Sequence, residues 1–197
     1  FLFCTVIIHI KYSQYKMMMK ILKLTFLATL VATSASFADE DSFTKGPLIK
    51  NYGENASAKQ TYPLPSTQKF KVVFDVAKEG PKLTPNRGFV SLARFLNMHV
   101  RAGVPAENIE LAMVVHGSAG NDILNNKAYQ KKFNADNPNL ELIKILQKHN
   151  VKIFMCGQSA AYHDIENEML ADDVAMALSA MTAHALLQQE GFTLNPF

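Results

Sequence analysis

The apolar positions of the chain fall into short β-branched and aromatic runs separated by stretches of helical spacing. Phe70-Lys-Val-Val-Phe-Asp-Val76, Ile109-Glu-Leu-Ala-Met-Val-Val115 and Val151-Lys-Ile-Phe-Met155 read as strands. Between the first two, Phe89, Leu92, Ala93, Leu96 and Val100 recur at helical spacing and predict a helix over 86–102, which Gly103 and Pro105 end. Between the second and third, the pattern predicts one helix over about 121–132 and another opening at Asn137-Pro138. In the second of these Asn137 fits the N-cap, and Leu142, Ile143 and Leu146 face inward. A shorter helix follows Cys156 through about Glu168, then a weak strand over 174–177, a final helix over 179–190 stopped by Gly191, and an edge strand at Phe192-Thr-Leu194. Such alternation argues for a single α/β domain, a mostly parallel sheet of about five strands with helices on both faces.

Ahead of this domain, assigned to 69–197, the pattern dissolves. Residues 39–68 are polar, broken by Gly46-Pro47, Tyr52-Gly53, Pro63 and Pro65, and read as an extended arm, either disordered or laid across a neighbouring subunit. Residues 17–38 have the parts of a secretory signal. Lys20 and Lys23 give a basic start, an apolar run follows, and Ser36 and Ala38 are the small residues of a cleavage site. Residues 1–16 precede the three methionines Met17 to Met19 and read as upstream translation from a misplaced start.

Cleavage after Ala38 changes the charge and the cysteine count. The removed segment holds Lys11, Lys16, Lys20 and Lys23 and no acid, so the excess of 20 basic over 17 acidic residues disappears. No Lys/Arg cluster remains for a phosphate backbone, which argues against a nucleic-acid partner. No later segment approaches the roughly 20 apolar residues of a membrane span, so no membrane association is expected once the signal is gone. Cys4 leaves with the signal, and Cys156 then has no intramolecular disulfide partner. Without a second cysteine or a tight His/Asp/Glu cluster, neither a metal site nor a cofactor is expected.

Ligands of parallel α/β sheets bind beyond the carboxyl ends of the strands. Here those ends are Ala77-Lys78, His116-Gly117-Ser118 and Cys156-Gly157-Gln158-Ser159. A cysteine between a buried strand and a helix lies near unpaired backbone N–H groups and the positive end of the helix dipole, and both favour the nucleophilic thiolate. Gly157 permits a close approach or an unusual backbone angle, and Gln158 and Ser159 have hydrogen bonds to donate to a sulfur anion. His116 has the chemistry to deprotonate the thiol or to stabilise the thiolate. An unpaired cysteine also serves as a small buried hydrophobe, and a histidine as a loop-bonding residue. His163 is placed on the helix after Cys156, and His99 and His184 are read as packing residues of amphipathic helices. His116-Gly-Ser118-Ala-Gly120 echoes a nucleophile elbow but lacks its first glycine.

Val114-Val-His-Gly-Ser118, Asn126 to Tyr129, Asn137-Pro-Asn-Leu with the helix from Leu142 to Leu146, and Val151-Lys-Ile-Phe-Met-Cys-Gly-Gln-Ser159 resemble, in this order and spacing, the DsrE/DsrF-like proteins. The resemblance runs from about Lys69 to the C-terminus. It implies a compact α/β domain assembled into homo- or hetero-oligomers such as trimers and hexamers. In the sulfur-relay members a loop cysteine carries sulfur as a persulfide and passes it between proteins, a role that falls here on Cys156. His116 and Gln158 match family-like positions without a role to transfer. The chain departs from those members in its export signal, since the relays work in the cytoplasm. The expectation is a periplasmic sulfur carrier or sulfurtransferase-like protein. Cys156 and His116 are its catalytic candidates, Gly117, Ser118, Gly157, Gln158 and Ser159 its substrate-binding candidates, and a sulfur donor or acceptor protein its partner. Competing expectations are a non-catalytic oligomeric binding module in which Cys156 only packs, and a thiol-based oxidant sensor.

Overall fold

Strand β1 (Phe70–Val76) is sorted by its pleat into two faces. Val72, Phe74 and Val76 join one buried cluster, whereas Val73 joins another. The same sorting runs through β2 (Ile109–Val115), where Leu111, Met113 and Val115 face the first cluster and Ala112 and Val114 the second. A computed structural model of the protein describes residues 43–195. The signal segment, the upstream residues and Cys4 lie outside the described residues.

The sheet has five parallel strands in the order β4-β3-β2-β1-β5. Its remaining strands are β3 (Lys152–Cys156), β4 (Val174–Ala177) and β5 (Thr193–Asn195). Helix α1 (Arg87–Arg101) packs Phe89, Leu92, Ala93 and Leu96 on the first face. It is joined there by α3 (Leu140–Lys148) through Leu142, Ile143 and Leu146. Helix α5 (Ala180–Gln189) covers the second face with Ala183 and Leu187. The fold is thus an α/β layered sheet with helices on both faces.

The expected helix over 121–132 is divided. A 3-10 turn, Gly117–Ile123, carries the chain away from β2, and α2 (Asn126–Phe133) begins only after Asn125, whose side chain accepts the Ala128 N–H as a cap. Leu124 between them forms an antiparallel bridge with Leu170, which no helix permits. Asn137 is not an N-cap. Its carboxamide donates to the carbonyls of Asp122 and Leu124 and accepts the N–H of Asn139, and α3 starts three residues later, at Leu140, with Asn139 at its N-cap. Helix α4 (Gly157–Tyr162) is shorter than the expected run to Glu168, because Asp164 adopts the left-handed conformation at φ 54° and turns the chain.

The segment before β1 packs on its own domain. Asn97 of α1, fully buried, accepts the N–H groups of Leu48 and Ile49 and donates to the carbonyls of Ile49, Tyr52 and Gly53. Ile49 thereby enters the core, and Gly53 lies so close to α1 that a Cβ would meet the Ala93 backbone at 2.4 Å. Beyond Ala56, the run to Lys69 is largely exposed.

Candidate functional site around Cys156

Cys156 ends β3 and is the residue from which α4 springs, with extended backbone at φ −70° and ψ 115°. Its side chain is 5% exposed. Burial pushes its thiol up, but the Ser159 hydroxyl and the backbone N–H groups of Ser159, Ala180 and Gln158 lie on the sulfur's side and favour the thiolate, and together they hold the thiol below its ordinary range. Two of these amides belong to the first turn of α4. The third, Ala180, opens α5, whose N-cap Ser179 accepts the Thr182 N–H. The sulfur thus lies where two helices begin and where no intrahelical acceptor serves those N–H groups.

The rest of the loop is built to keep this cradle closed. Gly157 has room only for hydrogen, since a Cβ would sit 2.6 Å from the Ala177 carbonyl oxygen and 3.0 Å from that of Leu178. The close approach at this glycine is made by the chain's own β4–α5 connection. The Gln158 side chain donates to the Leu178 carbonyl at 3.2 Å and so fastens the same connection, while its backbone N–H serves the sulfur. Ser159 Oγ accepts the Gly117 N–H at 2.8 Å, joining the turn after β2 to the first turn of α4. Gly117 needs its glycine, with φ 54° and the Ala77 carbonyl 2.8 Å from where a Cβ would stand. Ser118 turns elsewhere and accepts the Glu79 N–H at 3.1 Å.

His116 bonds to a residue the sequence reading missed. Its Nε2 lies 3.0 Å from Asp75 Oδ2, and the other carboxylate oxygen, Oδ1, lies 2.7 Å from Nε2 of His184. His184 therefore closes a His–Asp–His bridge across β2, β1 and α5 rather than only packing. Burial raises the Asp75 carboxyl, but hydrogen bonds and charge from the two imidazoles outweigh it and hold the group below the usual carboxylate range. The signal for Asp75 was present in the strand itself: it shares the pleat face of Val73, which is fully buried, so a charge there needs partners. Of the other histidines, His99 stacks on Phe95 and bonds its carbonyl, and His163 closes the end of α4. Among the described residues no group of three or more His, Cys, Asp or Glu is arranged to hold a metal ion.

A five-stranded, all-parallel sheet with helices on both faces defines the class as α/β. Residues 71–196 match the DsrE/DsrF-like family, and the chain belongs to that family. Two solved structures are similar over 66% of this chain and the whole of theirs. One, of a protein of unknown function, MTH1491 from Methanobacterium thermoautotrophicum, is 16% identical with a TM-score of 0.47. The other, the ychN protein from E. coli, is 21% identical with a TM-score of 0.45. No curated protein matches the chain.

Proposed function

We propose that the protein is a sulfur carrier whose Cys156 thiolate accepts sulfane sulfur, holds it as a persulfide and passes it on. The family is associated with sulfur relay. The observation that carries the reading for this chain is the place of Cys156 at the carboxyl end of β3 and the start of α4, where the polar groups of Ser159, Ala180 and Gln158 favour its thiolate. A cysteine that only packs has no use for polar groups that favour its anion, whereas a thiol that reacts as the thiolate does. The same donors suit the terminal sulfur of a bound persulfide, which is also anionic.

The surroundings suit protein partners. Leu178 and Met181 flank Ala180 and are 72% and 80% exposed, so apolar surface adjoins the sulfur cradle. A donor or acceptor protein, or further copies of this chain in a trimer or hexamer, would cover it. The signal-like segment over 17–38 supports export, and the relay then operates in the periplasm on polysulfide, thiosulfate or a partner's persulfide. Incubation with inorganic polysulfide followed by intact-mass spectrometry should show one added sulfur on the wild type and none on Cys156→Ala. Equal loading of both proteins would refute the reading.

A further inference from the structure

The carboxylate of Asp75 holds two imidazoles and takes no part in the amide cradle. We propose that Asp75 and His184 are positioning residues that hold His116 as the proton donor to the sulfur leaving a donor molecule, an inference that rests on the sulfane-sulfur reading above. A carboxylate only accepts hydrogen bonds, so Nε2 of each ring carries a proton toward Asp75. For His116 this leaves Nδ1 as the nitrogen free to act on a reacting group.

Strand register brings His116 level with the cysteine. Val114 pairs with Phe154, so Cys156 at the end of β3 and His116, one residue past the end of β2, each lie two residues beyond that pair. They share one level and one face of the sheet, on strands spaced about 4.8 Å apart. The bond from Gly117 N–H to Ser159 Oγ ties the two loops at the same level. His184 braces the carboxylate from the covering helix. Its Nδ1 is buried without a hydrogen-bond partner, so the ring's one bond is to Asp75 and the bridge ends there. Helix α5 thus touches both halves of the site, through the Ala180 amide at the sulfur and through His184 at the carboxylate.

The step balances without an added oxidant. The Cys156 thiolate attacks the terminal sulfur of a donor R–S–SH, an Sγ–S bond forms, and the donor's S–S bond breaks with its electron pair on R–S⁻. The transferred sulfur keeps its oxidation level. Doubly protonated His116 gives its Nδ1 proton to R–S⁻, which departs as R–SH, and the ring regains a proton from solvent. Such help matters for an aliphatic thiolate, a poor leaving group, and hardly at all for an aromatic thiolate of low basicity.

Thiol–disulfide exchange tests this directly, because the same attack on sulfur occurs with leaving groups of choice. Rates at Cys156 of the full chain carrying Cys4→Ala are measured with oxidised glutathione, which expels an aliphatic thiolate, and with dithiobis(nitrobenzoate), which expels an aromatic one. Asp75→Asn and His184→Leu should each slow the glutathione reaction roughly tenfold and leave the aromatic reaction within about twofold of wild type. Both rates come from one sample, so their ratio does not depend on how much of a variant has folded. An unchanged ratio in both variants, whether both reactions slow together or neither does, overturns the proposal. Polysulfide loading is scored separately, and its failure with a normal shift in the ratio falls on the sulfur-carrier reading alone.

Discussion

Replacing Ser159 by alanine should make the pH profile of Cys156 cross that of the wild type. The Ser159 hydroxyl is the foremost of the groups that favour the thiolate, and its oxygen also accepts the Gly117 N–H. A hydrogen bond to a charged group contributes roughly 1.5–3 kcal/mol. Taking the lower figure, because the neighbouring amides remain, the variant has roughly tenfold less thiolate at any pH below both apparent pKa values. A less stabilised thiolate is intrinsically more reactive, and with a Brønsted slope of about 0.5 each one reacts roughly threefold faster. Alkylation by iodoacetamide should therefore be about threefold slower than wild type at low pH and about threefold faster once both thiols are fully ionised. The assay is the alkylation rate from pH 5 to pH 10, read by mass spectrometry, and the crossing is its signature. Parallel profiles with a common midpoint would refute the claim that Ser159 stabilises the thiolate. A uniform loss at every pH would mean that the substitution had only disturbed access.

Further outcomes follow from the same geometry. Gly157→Ala drives a Cβ against the Ala177 and Leu178 carbonyls and should destabilise the fold by roughly 1–3 kcal/mol, measured by urea denaturation; an unchanged midpoint would contradict that contact. Asn97→Ala removes the side chain that holds the backbone of Leu48, Ile49, Tyr52 and Gly53, and should cost roughly 2–4 kcal/mol with faster amide exchange over 46–55. Exchange in that segment at the wild-type rate would show that other contacts hold it. Because folding lowers the Cys156 thiol, its contribution to stability is full above the unfolded thiol's value of about 8.5 and is lost as pH falls through the folded value. The stability of wild type relative to Cys156→Ala should accordingly rise from neutral pH to about pH 8.5. A difference flat with pH would contradict the lowered thiol.

The regular elements were legible because they are local. The weak strand over 174–177 and the cap-to-glycine helix ending at Gly191 are found where the spacing placed them. Asn137 was half legible: its Oδ1 accepts the Asn139 N–H as a cap would, while its Nδ2 donates to two carbonyls of the preceding turn, a tertiary demand that no local pattern carries. The site divides in the same way. The Ser159 contribution to Cys156 is a three-residue neighbourhood, readable from a cysteine at a strand-to-helix junction. The Ala180 amide reaches the sulfur only because the β4–α5 connection folds back over Gly157. Asp75 and His184 are 109 residues apart in sequence, and only the order of the strands and the seat of α5 brings them together.

The central claim is that Cys156 both takes up sulfur and gives it away. The most direct measurement loads the protein with polysulfide, removes the excess, adds a small thiol acceptor and follows the intact mass. The single added sulfur should be lost from the protein as an equal amount of persulfide appears on the acceptor, and Cys156→Ala should do neither. A wild type that loads no sulfur, or that keeps it in the presence of the acceptor, is not a sulfur carrier.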